Sequence, residues 1–176
     1  MRAPRSFGAC LVALLVTAGS LLVTASPAHA VTVDQTCIGT EVTSYNPPLT
    51  LTPQLVTITI SGVYPSCTNR DTFNGSYSES FTHTASCAVL PTFTSPTRTF
   101  VWGNPAAEPS TFRYNVIPSD VLGQLVVVNT GLITSGEFAP ASAQQVITLV
   151  TPNIAQCAGS GISNVTGSTT LIIYRI

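Results

Sequence analysis

The chain contains no lysine, and its six arginines and seven acidic residues make only 7% of 176 positions charged. Phosphate recognition needs clustered Lys and Arg, so a nucleic-acid partner is not expected. The same shortage argues against docking on an anionic membrane surface. Histidine is nearly absent: His29 lies in the leader discussed below, which leaves His83 alone. A zinc site needs close Cys or His pairs, and the cysteine spacings supply none. No G-x-S-x-G elbow occurs, which removes the commonest serine-hydrolase signature. Beyond residue 30 no window sustains a 3.6-residue apolar period, so a helical bundle is excluded as well.

What is present begins at the N-terminus. Arg2 and Arg5 precede an apolar, uncharged run over 7–25, followed by Ala28-His29-Ala30. This is the pattern of a secretory signal peptide over residues 1–30, removed after Ala30. An uncleaved anchor is the rival, since a span needs about 17–25 apolar residues. The small-residue cleavage signature favours removal. Arg2 and Arg5 are not adjacent, so a twin-arginine route is not supported, and Cys10 inside the run is a poor lipidation site. Leu90-Pro91-Thr92 lacks the apolar tail and basic end of a wall-sorting signal, and 171–176 reads as a strand. The expected product is secreted and extracellular, a single domain over 31–176 with no membrane partner after cleavage. It carries Arg70, Arg98, Arg113 and Arg175 against seven acids, so its solubility rests on Ser, Thr, Asn and Gln.

Cys37, Cys67, Cys87 and Cys157 remain, an even number that implies two disulfides in an exported chain. Of three possible pairings, Cys37–Cys67 with Cys87–Cys157 is favoured. An antiparallel hairpin would bring the first two together from the start of one strand and the end of the next.

Period-two alternation recurs along the chain. Val56, Ile58 and Ile60 share a face, as do Phe100 and Trp102, then Phe112, Tyr114 and Val116, then Leu171 and Ile173. β-Branched residues and threonine dominate, as pleated surfaces favour. Turn signals such as Asn46-Pro47-Pro48, Asn74-Gly75, Gly103-Asn104-Pro105 and Ser135-Gly136 separate the runs. About eight strands are expected, near 35–45, 53–64, 76–84, 96–103, 110–117, 123–134, 143–151 and 168–176. The pattern predicts an all-β, antiparallel, Ig-like β-sandwich, with a closed barrel or jelly roll as the main alternative.

Candidate chemistry is sparse. His83 would have to be the base of any hydrolase, yet Glu79 on the same strand lies roughly 13 Å along it, too far for a direct bond. The seven acids are scattered singly, so a glycosidase pair is not legible, and each reads as a loop or strand-edge group. Asn69, Asp71 and Asn74 form a calcium-like oxygen cluster, but Arg70 sits inside it and no bidentate Glu follows, so it reads as a polar turn. Trp102, Tyr45, Tyr64, Tyr77, Tyr114 and Tyr174 could stack on sugars, although a buried aromatic cluster explains Trp102 and Tyr114 better. Asn74-Gly75-Ser76 and Asn164-Val165-Thr166 match the N-glycosylation pattern. No catalytic, cofactor or metal residue is nominated, and no cofactor is expected.

The A-x-A site followed by residues 36–42, with 49–53, 99–102, 110–114, 123–127 and Cys157-Ala158-Gly159, resembles uncharacterised small secreted β-rich proteins of actinobacteria. The resemblance implies export and a β-rich domain, and supplies no activity. The functional expectation is a non-enzymatic extracellular binding or interaction module, with an extracellular protein or a glycan as partner. Its end loops 64–71, 104–109 and 136–140 are the first places to look. A protease inhibitor presenting Arg70 on the disulfide-anchored segment 66–70 is the alternative, and a small hydrolase a more remote one.

Overall fold

A computed structural model describes residues 30–88, 95–121, 124–150 and 154–176. Eight strands follow one another: β1 (Thr32–Leu49), β2 (Gln54–Cys67), β3 (Gly75–Ala85), β4 (Thr97–Trp102), β5 (Ser110–Val121), β6 (Gln124–Ser135), β7 (Ala141–Leu149) and β8 (Ile162–Arg175). The expected β elements are all found, most of them longer than predicted. The one addition among the described residues is a single helical turn, α1 (Ile154–Ala158), too short to leave a periodic signal. Among the described residues no helix is long and apolar enough to cross a membrane.

The sandwich expectation is corrected. Each strand pairs antiparallel with the next, and β1 also pairs with β8 from Thr32↔Arg175 through Ser44↔Asn164, closing the sheet into an eight-stranded barrel. For the apolar runs alternation told inside from outside, but it carried no record of which edges meet, and that distinguishes a barrel from a sandwich. Closure gives every strand a partner on both sides, although β3 and β4 share only the two pairs Gly75↔Trp102 and Ser76↔Val101.

The antiparallel order gives the barrel two distinct ends. At the first end lie the β2–β3, β4–β5 and β6–β7 connections, and its interior is filled. Phe100, Phe112, Trp102 and Phe138 pack there with Ile133, Leu171 and Ile173. The Phe100 and Phe112 rings stack at 5.8 Å, and Phe138 meets Trp102 edge-on at 5.4 Å. The indole N–H of Trp102 donates to Ser110 Oγ at 3.0 Å. Gly62 admits this packing: a Cβ there would lie 2.0 Å from the Tyr77 ring. At the second end a smaller cluster of Leu49, Val56, Ile58, Ala85 and Ile162 surrounds Cys157 of α1.

Both expected disulfides are present, Cys37–Cys67 across β1 and β2, and Cys87–Cys157 tying α1 to the segment after β3. Outside the barrel, Thr57–Thr82, Thr59–Ser80 and Ser61–Ser78 form a ladder of hydroxyl contacts between β2 and β3. Such pairs supply polar surface without charge.

Candidate functional site

At mid-height the interior changes character. Inward positions of seven strands bring together Glu41 (β1), Glu79 (β3), Arg98 (β4), Tyr114 (β5), Asn129 (β6), Gln145 (β7) and Thr169 (β8). Tyr64 and Tyr77 add hydroxyls from β2 and β3.

Arg98 is the centre of this belt. Its side chain is 2% exposed. Nη1 donates to Glu41 Oε2 at 3.4 Å and to Gln145 Oε1, and Nε donates to Glu79 Oε1 at 3.1 Å. Nη2 donates to the same Glu79 oxygen. The guanidinium carbon lies 4.3 Å from the Tyr77 ring centre and 5.4 Å from that of Tyr114, so two aromatic faces enclose it.

Because a guanidinium can only donate, it fixes Gln145 Oε1 as the acceptor. The Gln145 Nε2 group then faces Tyr64 OH at 2.8 Å, Tyr77 OH at 2.9 Å and Thr169 Oγ1 at 3.1 Å. Tyr77 in turn donates to Glu41 Oε2 at 2.6 Å. The same logic orients Asn129. Its Nδ2 must donate to Gln145 Oε1, at 3.2 Å, which leaves Asn129 Oδ1 buried without a hydrogen-bond partner among the described residues.

The electrostatics follow from burial. Desolvation pushes the Glu41 carboxyl above its ordinary value, and the pull of Arg98 and the Tyr77 hydroxyl only partly offsets it. Desolvation alone would lower Arg98, but Glu79 and the other acidic groups around it overcome that effect and shift it upward, so it stays a cation. Burial pushes Tyr64 up to about 12 and also raises Tyr77 and Tyr114, so these phenols are neutral hydroxyls.

Above the belt, toward the second end, lies a cavity of about 530 Å³. Its floor is Glu41, Glu79, Arg98, Tyr114 and Asn129, and its walls include Ile58, Ile60, Phe81, Val116, Leu125, Val127, Ile147 and Leu149. It sits where β3 and β4 part. Their ladder holds only Gly75↔Trp102 and Ser76↔Val101, so Glu79–His83 and Pro96–Arg98 border the space without a backbone ladder between them, and the Arg98 and Glu79 side chains meet there. Tyr45 also lines it, its phenol pushed up to about 12 by burial and then by Glu41.

These placements revise several expectations. Glu41 and Glu79, read as solitary solvated or edge groups, are interior and joined through Arg98. His83, read as an exposed strand histidine, is partly buried at the cavity wall, with Nδ1 3.0 Å from the Thr84 carbonyl oxygen. Trp102 is buried at 4% exposure, as are Tyr64, Tyr77 and Tyr114, so none of them is a sugar platform. The three end loops lie at the filled end, away from the cavity.

Asn69 Oδ1 accepts from the Asp71 amide at 2.9 Å, a local polar turn. The Gln35 carboxamide grips the same loop, donating to Thr72 O and Oγ1 and accepting from Asn69 N. Among the described residues no three His, Cys, Asp or Glu side chains gather as a metal site. The missed signal was phase: Arg98 lies two residues before Phe100, and Glu79 two after Tyr77, which places both on the inward face.

No protein-family model, curated protein or solved structure matches the chain.

Proposed function

We propose that this protein is a secreted, non-enzymatic binding module that holds a small, largely apolar molecule inside its barrel. The cavity above the polar belt carries this reading. At about 530 Å³ it falls within the roughly 300–1,000 Å³ typical of small-molecule sites, and it has the usual apolar walls with a few convergent polar groups. An eight-stranded barrel is just wide enough either to be filled by side chains or to hold one small ligand. Here one half is filled, and the other keeps a cavity beside its smaller apolar cluster.

The acid–base groups at the floor support a binding role over catalysis. The Glu79 carboxylate is engaged by Arg98 and Tyr114, and Glu41 by Arg98 and Tyr77. Secretion rests on the leader expected over residues 1–30, of which 1–29 lie outside the described residues, and two disulfides are consistent with an oxidising compartment.

The inhibitor reading has one observation in its favour: Arg70 is exposed on a loop held by Cys67 and Gln35. The turns over residues 68–74 differ from the extended strand a protease cleft takes, so it ranks second.

Titration with an uncharged, environment-sensitive apolar dye such as prodan tests the proposal. Saturable one-to-one binding is expected, and Val127→Trp, which fills the cavity, should abolish it while near-UV circular dichroism stays native. Absence of saturable binding, or equal binding by the filled variant, overturns the reading.

A further inference from the structure

We infer that the cavity selects apolar molecules whose head group donates hydrogen bonds, a primary aliphatic amine above all, and that it rejects carboxylates. This rests on the cavity being a binding site and concerns only the chemistry of its floor.

The floor carries two acids and one base, and every nitrogen of the base is engaged within the belt, through four of its five N–H groups. Nε, Nη1 and Nη2 of Arg98 are directed at Glu79, Glu41 and Gln145, beneath a side-chain exposure of 2%. Glu79 is the more open partner, at 16%. Its Oε1 takes Arg98 Nε and Nη2 and the Tyr114 hydroxyl at 3.3 Å, whereas the Oε2 contact is the same hydroxyl at 3.5 Å. One hydroxyl proton cannot serve both oxygens, so Oε2 keeps acceptor capacity. Asn129 Oδ1, closed off from water and unpartnered, adds an uncompensated acceptor dipole at the same level.

The remaining lining is apolar or hydroxylic apart from His83. A fatty-acid site would need a cation free to meet the carboxylate, and Arg98 is committed. A carboxylate placed here would face the Glu79 carboxylate among largely apolar walls, whereas an ammonium or hydroxyl would complete an unfilled acceptor.

Displacement of prodan by decylamine, decanol, decyl methyl ether and decanoate, each below its aggregation threshold, reads the preference directly. The expected order is amine, alcohol, ether, carboxylate, with amine over carboxylate by about tenfold or more. Glu79→Gln puts an amide in place of the carboxylate, and the amine-to-carboxylate ratio should fall toward one. Arg113→Gln, which removes an exposed cation outside the cavity lining, should leave the order unchanged.

If prodan itself fails to bind, the binding-module reading fails. If prodan binds but decanoate displaces it as well as decylamine does, or if the ratio survives Glu79→Gln in a natively folded variant, this inference is overturned. The wild-type order decides the matter even if Glu79→Gln does not fold.

Discussion

Replacing Arg98 with methionine removes the one cation of the belt while keeping a long side chain in its place. Two carboxylates, at 4% and 16% side-chain exposure, then share an interior without a counter-charge. Gln145 Oε1 loses its strongest donor, and the Tyr77 and Tyr114 rings lose the guanidinium between them. Breaking a buried pair by removing one partner costs about 3–5 kcal/mol, because the remaining charge stays desolvated. For a domain of this size that is a fall in Tm of roughly 10–15 °C. The deficit at pH 7 should shrink as the pH is lowered, because protonating Glu41, whose carboxyl burial pushes above its ordinary value, removes one of the unpaired charges. Adding Glu41→Gln and Glu79→Gln to Arg98→Met should recover much of it at pH 7, since neutralising a whole buried set is far cheaper than stripping one member. Trp102 is the single tryptophan and is buried, so its fluorescence follows urea unfolding. A loss under about 1 kcal/mol at pH 7, or one that is independent of pH, would refute the account of the belt.

The other expectations address the same interior. Glu41 has a folded-state pKa raised above its ordinary 4.5, so its contribution to stability is fully present below that value and is lost as the pH rises through the folded one. Gln at position 41 can still accept from Tyr77 and Arg98. Glu41→Gln should therefore be at least as stable as the parent at pH 7, with the difference closing below about pH 4.5 in urea titrations. A variant that is weaker at pH 7 contradicts the sign. Gly62→Ala sets a methyl against a Tyr77 ring pinned by its bond to Glu41, and a loss of about 1–3 kcal/mol is expected from thermal melts. An unchanged Tm would show that the ring yields. Replacing Cys87 and Cys157 by serine opens a bridge spanning 70 residues, for which chain entropy predicts a loss of about 4 kcal/mol. Denaturation without reductant measures it, and indifference to the change would mean that α1 and the β3–β4 segment already hold each other in the unfolded chain.

Strand positions were legible because alternation and turn chemistry are local. Val56, Ile58 and Ile60 fell on one face, and Asn104-Pro105 and Ser135-Gly136 marked true reversals. The disulfide pairing was legible for the same reason, since Cys37 and Cys67 lie directly opposite in the β1–β2 ladder. Closure was not, because Thr32↔Arg175 and its successors join the two extremes of the barrel, and no local feature of β1 or β8 names its partner. The α1 turn was hidden by its length. The belt was half legible. Each of Glu41, Glu79, Arg98, Asn129 and Gln145 sits in phase with inward neighbours, but a polar residue in phase is read as a solvated position until the sheet is known to close around it.

The order of layers along the barrel axis carries the functional argument. Buried ion sets are poor sources of stability, since desolvation consumes most of the Coulomb gain. An aromatic fill like that of Phe100, Phe112 and Trp102 continued through the second half would have buried more apolar surface with no charge to accommodate. Instead the fill stops at Tyr77 and Tyr114, whose rings face the aromatic cluster on one side and whose hydroxyls face Glu41 and Glu79 on the other. The belt thus converts an apolar plug into a polar floor, with its cation tucked beneath and the Glu79 carboxylate lining the cavity. Walls of Ile60, Val127 and Leu149 around such a floor match the apolar lining with a few convergent polar groups that marks small-molecule pockets, and this match is the ground of the proposed binding role.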